Sequence, residues 1–126
     1  MRLHRRLRRE RPDSGLSLTK LSVLGRLDRD GPATASELAE AERIQPQSMT
    51  RVVADLEQLG LIERAADPRD RRRSTLRISP AGAGLIAEDR RQRDEWLTQA
   101  MRRTLTPDER ESLRTAAGLL DRLAEA

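Results

Sequence analysis

The 126-residue chain contains no cysteine, tyrosine or phenylalanine, and one residue each of tryptophan (Trp96), histidine (His4) and lysine (Lys20). Each shortage excludes a class of chemistry. Without cysteine there can be no disulfide, thiolate metal centre or thiol redox sensor. With His4 as the only imidazole, a His-based metal site or a Ser-His or Cys-His pair has little to work with, and His4 reads as a helix-surface residue. The near absence of aromatics removes the stacking platforms on which single-stranded nucleic acids are read. No apolar run approaches the roughly 18 residues of a membrane span, and the basic start lacks the apolar centre of a signal peptide. A cytoplasmic protein with no membrane partner is expected. There is no phosphate-loop glycine pattern, no metal-ligand set and no nucleophile beside a base, so neither an enzyme nor a cofactor is expected.

Arginine is abundant, and its distribution is uneven. The formal net charge is +4, yet residues 1–11 carry six arginines against Glu10, and residues 63–77 carry six against Glu63, Asp67 and Asp70. Residues 88–126 carry eight arginines against nine acids. Positive charge therefore gathers where the chain could meet a polyanion. The length fits one domain, and a hydrophobic fraction of 36% leaves much of the chain for surfaces or for contact with a second copy.

The local signals are mostly helical. Residues 1–11 hold Leu3 and Leu7 at i, i+4 and stop at the turn cluster Pro12-Asp13-Ser14-Gly15. Ser17 offers an N-cap for a helix over 18–30, with Leu18, Leu21, Leu24 and Leu27 on one buried face and Gly31-Pro32 as the stop. Thr34-Ala35-Ser36-Glu37 predicts a capping box, with Thr34 and Glu37 each serving the other's amide. After a break at 43–45, Pro46 suits the first turn of a helix reaching about Leu59, with Met49, Val52, Val53 and Leu56 inward. Gln47, Ser48, Thr50 and Arg51 then fall on or beside the outer face near its start. Gly60 is placed for a left-handed cap.

Leu61 to Arg64 and Ser74 to Ser79 read as two strands, with Leu76 and Ile78 on one face. Between them Asp67-Pro68-Arg69-Asp70-Arg71-Arg72-Arg73 forms an arginine-loaded tip, too charged to bury. The bland reading of such a run is a solvated turn; beside a helix-turn-helix pattern it is what a winged DNA reader needs. Ser79-Pro80 opens a long helix carrying Leu85, Ile86, Trp96, Leu97 and Met101, with a charged, mostly solvated stretch over 88–95. Thr106-Pro107-Asp108-Glu109 caps a last helix in which Leu113, Ala116, Leu120 and Leu123 form an a/d-like seam.

This order of elements resembles the multiple antibiotic resistance regulator (MarR) family of winged helix-turn-helix proteins. The matching motifs are Gly15-Leu16-Ser17, Gly31-Pro32, Ser36-Glu37-Leu38-Ala39, Ser48-Met49-Thr50-Arg51-Val52-Val53, Leu56-Glu57, Gly60-Leu61-Ile62-Glu63-Arg64, Asp67-Pro68-Arg69-Asp70-Arg71-Arg72 and Ile78-Ser79-Pro80-Ala81-Gly82. The resemblance implies a bacterial, mainly α fold with a small β-hairpin. A winged lobe over 17–79 would be flanked by dimerisation helices over 1–16 and 80–126, all in one domain. Two departures stand out. The family normally has a longer first helix, whereas eleven residues precede Pro12, so the expectation is an upstream start, a truncated first helix, or pairing mainly through the C-terminal helices. Trp96 alone cannot build a pocket of stacked rings.

The function implied is a homodimeric, promoter-binding regulator, a repressor by family analogy, with two recognition helices in successive major grooves of a pseudo-palindromic operator of double-stranded DNA. Gln47 and Arg51 are the candidates for base edges, adenine and guanine respectively. The bland alternative for Arg51 is a phosphate contact or an ion pair with Asp55 at i+4. Ser48, Thr50 and Ser36 suit phosphates, or simple capping and solvation. The resemblance places Arg72 in the minor groove with Asp70 orienting it, while Arg69, Arg71 and Arg73 would meet phosphate or water. Leu3 and Leu7 would join Leu113, Ala116, Leu120 and Leu123 at the dimer interface. Family members commonly release DNA on binding a small anionic or phenolic effector; Arg26, Arg90 and Trp96 are conceivable contributors, and an effector-free binder is the alternative. The competing class is a winged-helix protein-interaction module docking its basic wing on an acidic partner, which the polar start of the recognition helix disfavours.

Overall fold

A computed structural model of the chain describes residues 1–70 and 72–126; Arg71 lies outside the described residues. The elements run α1 (Arg2–Arg9), α2 (Leu18–Asp30), α3 (Ala35–Glu42), α4 (Pro46–Gln58), β1 (Ile62–Ala66), β2 (Ser74–Ile78), α5 (Pro80–Thr104) and α6 (Pro107–Ala124). The architecture is mainly helical with one antiparallel hairpin, as the sequence predicts. Residues 12–90 form one compact unit, and residues 1–11 with 91–126 form a second. No helix among the described residues is long and apolar enough to cross a membrane.

In the first unit, capping residues set the helix limits. Ser17 accepts from the amide of Lys20 to start α2, and Gly31, at φ 84°, ends it in a conformation open to glycine. Leu21, Val23, Leu24 and Leu27 are buried, whereas Leu18, expected on the same face, is 43% exposed. Leu24, Leu38, Met49, Leu56 and Leu76 are fully buried, so α2, α3, α4 and the hairpin share one centre.

The hairpin register pairs Ile62 with Ile78, Arg64 with Leu76 and Ala66 with Ser74. β1 begins one residue later and runs two further than the Leu61–Arg64 expected. The sequence gives no sign of a third participant, yet Ala33 and Leu76 exchange both backbone hydrogen bonds, at 3.0 and 2.7 Å, immediately after Gly31-Pro32 turns the chain. That bridge fixes the wing's inner strand to the end of α2.

Gly60, at φ 72°, turns α4 into β1. Ser79 anchors α5: its hydroxyl donates to the Gly60 carbonyl at 2.6 Å and accepts from the Gly82 amide at 3.1 Å. A Cβ on Gly82 would stand 2.2 Å from the Leu61 carbonyl oxygen and 2.8 Å from Ile78 Cγ1, so only glycine allows this approach. Within the charged stretch of α5, expected to be mostly solvated, Asp89 is buried.

In the second unit, Arg6 pairs with Glu10 at 2.6 Å and stands 5.3 Å over the Trp96 ring. α6 opens on a complete capping box, in which the Thr106 amide donates to Glu109 Oε1 at 2.9 Å and the Glu109 amide donates to Thr106 Oγ1 at 3.2 Å. No residue of α6 is buried.

Candidate nucleic-acid interface

The outer face of α4 follows from its period. With Met49, Val53 and Leu56 inward, Gln47, Ser48, Thr50 and Arg51 are all exposed within the first two turns. Thr50 donates its hydroxyl to the Pro46 carbonyl at 3.0 Å, so its proton is engaged and its oxygen remains an acceptor. The i+4 ion pair between Arg51 and Asp55 does not form. Asp55 instead meets Lys20 of α2 at 3.0 Å.

Ser36 is exposed on the first turn of α3, beside Thr34, whose hydroxyl accepts from the Glu37 amide at 3.1 Å. The predicted capping box is half formed: Glu37 reaches Arg73 at 2.9 Å rather than the Thr34 amide. Arg73, expected to meet phosphate, is thus tethered to α3.

Two aspartates shape the wing tip. Asp67 accepts from the Arg69 amide at 2.8 Å and Asp70 from the Arg72 amide at 2.9 Å, while the Asp67 amide donates to the Arg73 carbonyl at 3.0 Å. Both carboxylates make side-chain turns of the Asx kind. Asp70 therefore orients the Arg72 backbone through its amide. Arg69, Asp70 and Arg72 are exposed; Arg71 lies outside the described residues.

The arginines of this unit fall into two groups. Arg26, Arg64, Arg73, Arg77 and Arg90 each sit within 3.2 Å of a carboxylate, on Glu42, Glu57, Glu37, Glu63 and Asp28 in turn. Arg26 and Arg90, conceivable effector ligands from sequence, are therefore structural ties. Among the described residues, Arg29, Arg43, Arg51, Arg69 and Arg72 enter no ion pair. Arg29 stands on the last turn of α2, where a cation suits the carbonyl end of the helix. The other four lie on the α3–α4 turn, the start of α4 and the wing tip. Sequence reasoning missed Arg43. Its signal was the short connection between α3 and α4, which needs a left-handed residue and holds neither glycine nor asparagine.

In the second unit, Leu3, Leu113, Leu120 and Leu123 are 45, 43, 64 and 71% exposed, Leu119 is 51% exposed, Ala116 is exposed and Leu7 half-buried. Leu119 extends the seam read from the sequence.

Residues 16–74 match the sequence profile of the MarR family. The chain is 44% identical over 120 residues to an uncharacterised HTH-type transcriptional regulator of Mycobacterium bovis, covering 95% of this chain and 83% of that protein. Its fold is similar to the crystal structure of a putative transcriptional regulator from Pseudomonas aeruginosa, with a TM-score of 0.84, 38% identity, and 98 and 86% of the two chains covered. A MepR variant of S. aureus bound to an oligodeoxyribonucleotide shares the fold at a TM-score of 0.65 and 24% identity, over 88% of this chain and 80% of that one.

Proposed function

The chain belongs to the MarR family of helix-turn-helix transcriptional regulators, and from that premise we propose that it represses transcription as a homodimer on a pseudo-palindromic promoter site. DNA-binding regulation comes with the family; the dimer, the operator and the residue roles are our reading. The observation that carries it is the sorting of the cations. Arg26, Arg64, Arg73, Arg77 and Arg90 are neutralised by carboxylates, while Arg51 at the start of α4 and Arg72 at the wing tip are among the five described arginines of this unit that enter no ion pair, and both are exposed. Arg51 can take guanine O6 and N7 together, with Gln47 suited to adenine. Arg72 suits a narrow A·T-rich minor groove, and Arg69, Ser36, Ser48 and the wing backbone suit phosphate.

Residues 17–79 form the reading lobe in this proposal, and 1–16 with 80–126 supply the dimer contacts. The exposed leucines of α6 support that division, since a contiguous apolar stripe on one helix marks a surface that pairs with another. In a homodimer the two α4 helices would enter successive major grooves, so the half-sites should lie about one turn (~10 bp) apart. Arg26 and Arg90, two of the conceivable effector contacts, are held by Glu42 and Asp28.

Fluorescence anisotropy tests it, with the duplex upstream of the protein's own coding region set against a scrambled duplex of equal composition. Selective binding that Arg51→Ala blunts at one base pair per half-site, and that Arg72→Ala blunts in the A·T flanks, is expected. Equal binding of both duplexes by the parent protein, unchanged by either substitution, would sink the residue roles.

A further inference from the structure

Arg43 caps α3 at φ 55° and ψ 45°, and is the single non-glycine residue with positive φ among those described. Glycine adopts this conformation without strain, and asparagine is the usual second choice; an arginine brings a Cβ that crowds the neighbouring carbonyl. A strained position occupied by a large cation calls for a reason outside the local fold. The Arg43 amide satisfies the helix end by donating to the carbonyls of Ala39 and Glu40, a task the backbone of any residue performs. Its side chain contributes nothing comparable, since it is exposed and its guanidinium enters no ion pair or hydrogen bond among the described residues. The adjacent carboxylate is already engaged, because Glu42 accepts from Ser22 at 2.8 Å and from Arg26 at 3.2 Å.

Position supplies the reason. Arg43 lies three residues before Pro46, so chain length alone keeps it within about 11 Å of the first residue of α4. When a helix-turn-helix docks, the first helix crosses the sugar–phosphate backbone and the start of the second enters the groove. The turn between them lies against the strand that walls it. We propose that Arg43 is a phosphate clamp: it binds a backbone phosphate beside the base pairs that α4 faces, and the left-handed strain is retained because the clamp needs a cation there. The inference rests on the DNA-binding reading above, and it adds a contact that carries affinity and register but no sequence information.

The experiment compares the parent protein with Arg43→Gly and Arg43→Lys by thermal melting and by anisotropy on the upstream and scrambled duplexes, from about 50 to 200 mM salt. Arg43→Gly is expected to melt at the same or a higher temperature. It should bind both duplexes more weakly by the same factor, with a log-log salt slope shallower by about 0.9 per protomer engaged. Arg43→Lys should restore most of that slope. Unchanged affinity and slope in Arg43→Gly, with Arg51→Ala and Arg72→Ala both weakening binding, would overturn the clamp and leave the DNA-binding reading standing. A clear fall in melting temperature would overturn it in favour of a structural role, and a loss confined to the upstream duplex would overturn it in favour of base reading. Failure of the parent protein to bind either duplex at low salt would remove the underlying reading and the clamp together.

Discussion

Lys20 Nζ stands 3.0 Å from Asp55 Oδ2, so the only lysine in the chain occupies the carboxylate that lies one helical turn from Arg51. An ion pair between Arg51 and Asp55 would lay the guanidinium along α4; the bridge to α2 removes that competitor. Both members are partly exposed, Asp55 at 43%, so the bridge adds little to stability, well under about 1 kcal/mol.

Lys20→Ala should therefore leave the melting temperature nearly unchanged while weakening selective DNA binding. Releasing Asp55 gives Arg51 an i, i+4 partner worth a few tenths of a kcal/mol, which amounts to about two- to fivefold in affinity for a dimer engaging both half-sites. The loss should fall on discrimination at the base pair facing Arg51. Asp55→Asn in the same chain should reverse it, and Lys20→Ala should have no effect on selectivity when Arg51 is already alanine. A uniform loss on all duplexes, with a shallower salt slope, would identify Lys20 as a phosphate contact instead.

The contrast between local and long-range pairing also separates what could be read from the sequence from what could not. Ser17, Pro46, Gly60 and the capping of the Gly82 amide by Ser79 act within a few residues, so their roles are written in short patterns, and the helices and hairpin they delimit appear as expected. Lys20–Asp55, Glu37–Arg73 and Ala33–Leu76 join residues far apart in the chain, and any of several carboxylates or strands could have served each partner. The capping box at Thr34 illustrates the point: its local half formed, while Glu37 was drawn to a cation 36 residues away. At the interface, residue type and helical period placed Gln47, Ser48 and Arg51 on the exposed face. Neither could separate tethered Arg73 from unpaired Arg72 one position earlier.

Gly82 offers a test of how α5 is seated. Its missing Cβ lets the helix start pack on the backbone of Leu61 at a distance that no side chain permits. Gly82→Ala should destabilise the fold by about 3 kcal/mol, since a backbone carbonyl and a core isoleucine must both move. Urea denaturation with an unchanged m-value would report it. Gly84, with open space around its missing Cβ, supplies the control: Gly84→Ala should be neutral or stabilising through helix propensity.

Leu120→Glu and Leu123→Glu place charge on the most exposed leucines of α6, at 64 and 71%. If α6 carries the dimer, either substitution should yield a monomer by analytical ultracentrifugation while the winged unit keeps its near-native melting. DNA affinity should then collapse toward that of a single half-site, because the second recognition helix no longer binds as part of the same molecule. A dimer that survives both substitutions would move the interface away from this stripe.

The capping box of α6 predicts a pH response of known sign. The Glu109 carboxylate is held below its ordinary range, first by the hydrogen bond from the Thr106 amide and then by that from the Thr106 hydroxyl. A carboxyl group lowered in the folded state contributes stability above its unfolded pKa and loses it as pH falls through the folded one. The first turn of α6 should therefore fray on acidification, which brings the Thr106 to Arg110 amides into faster hydrogen exchange as the pH falls through and below the ordinary carboxylate range, after correction for the intrinsic rate. Glu109→Gln should already exchange faster at neutral pH and show little further change over that window, because the neutral amide makes a weaker bond to the Thr106 amide and cannot titrate. Matching acid profiles in the parent and Glu109→Gln proteins would show that another group governs the helix start.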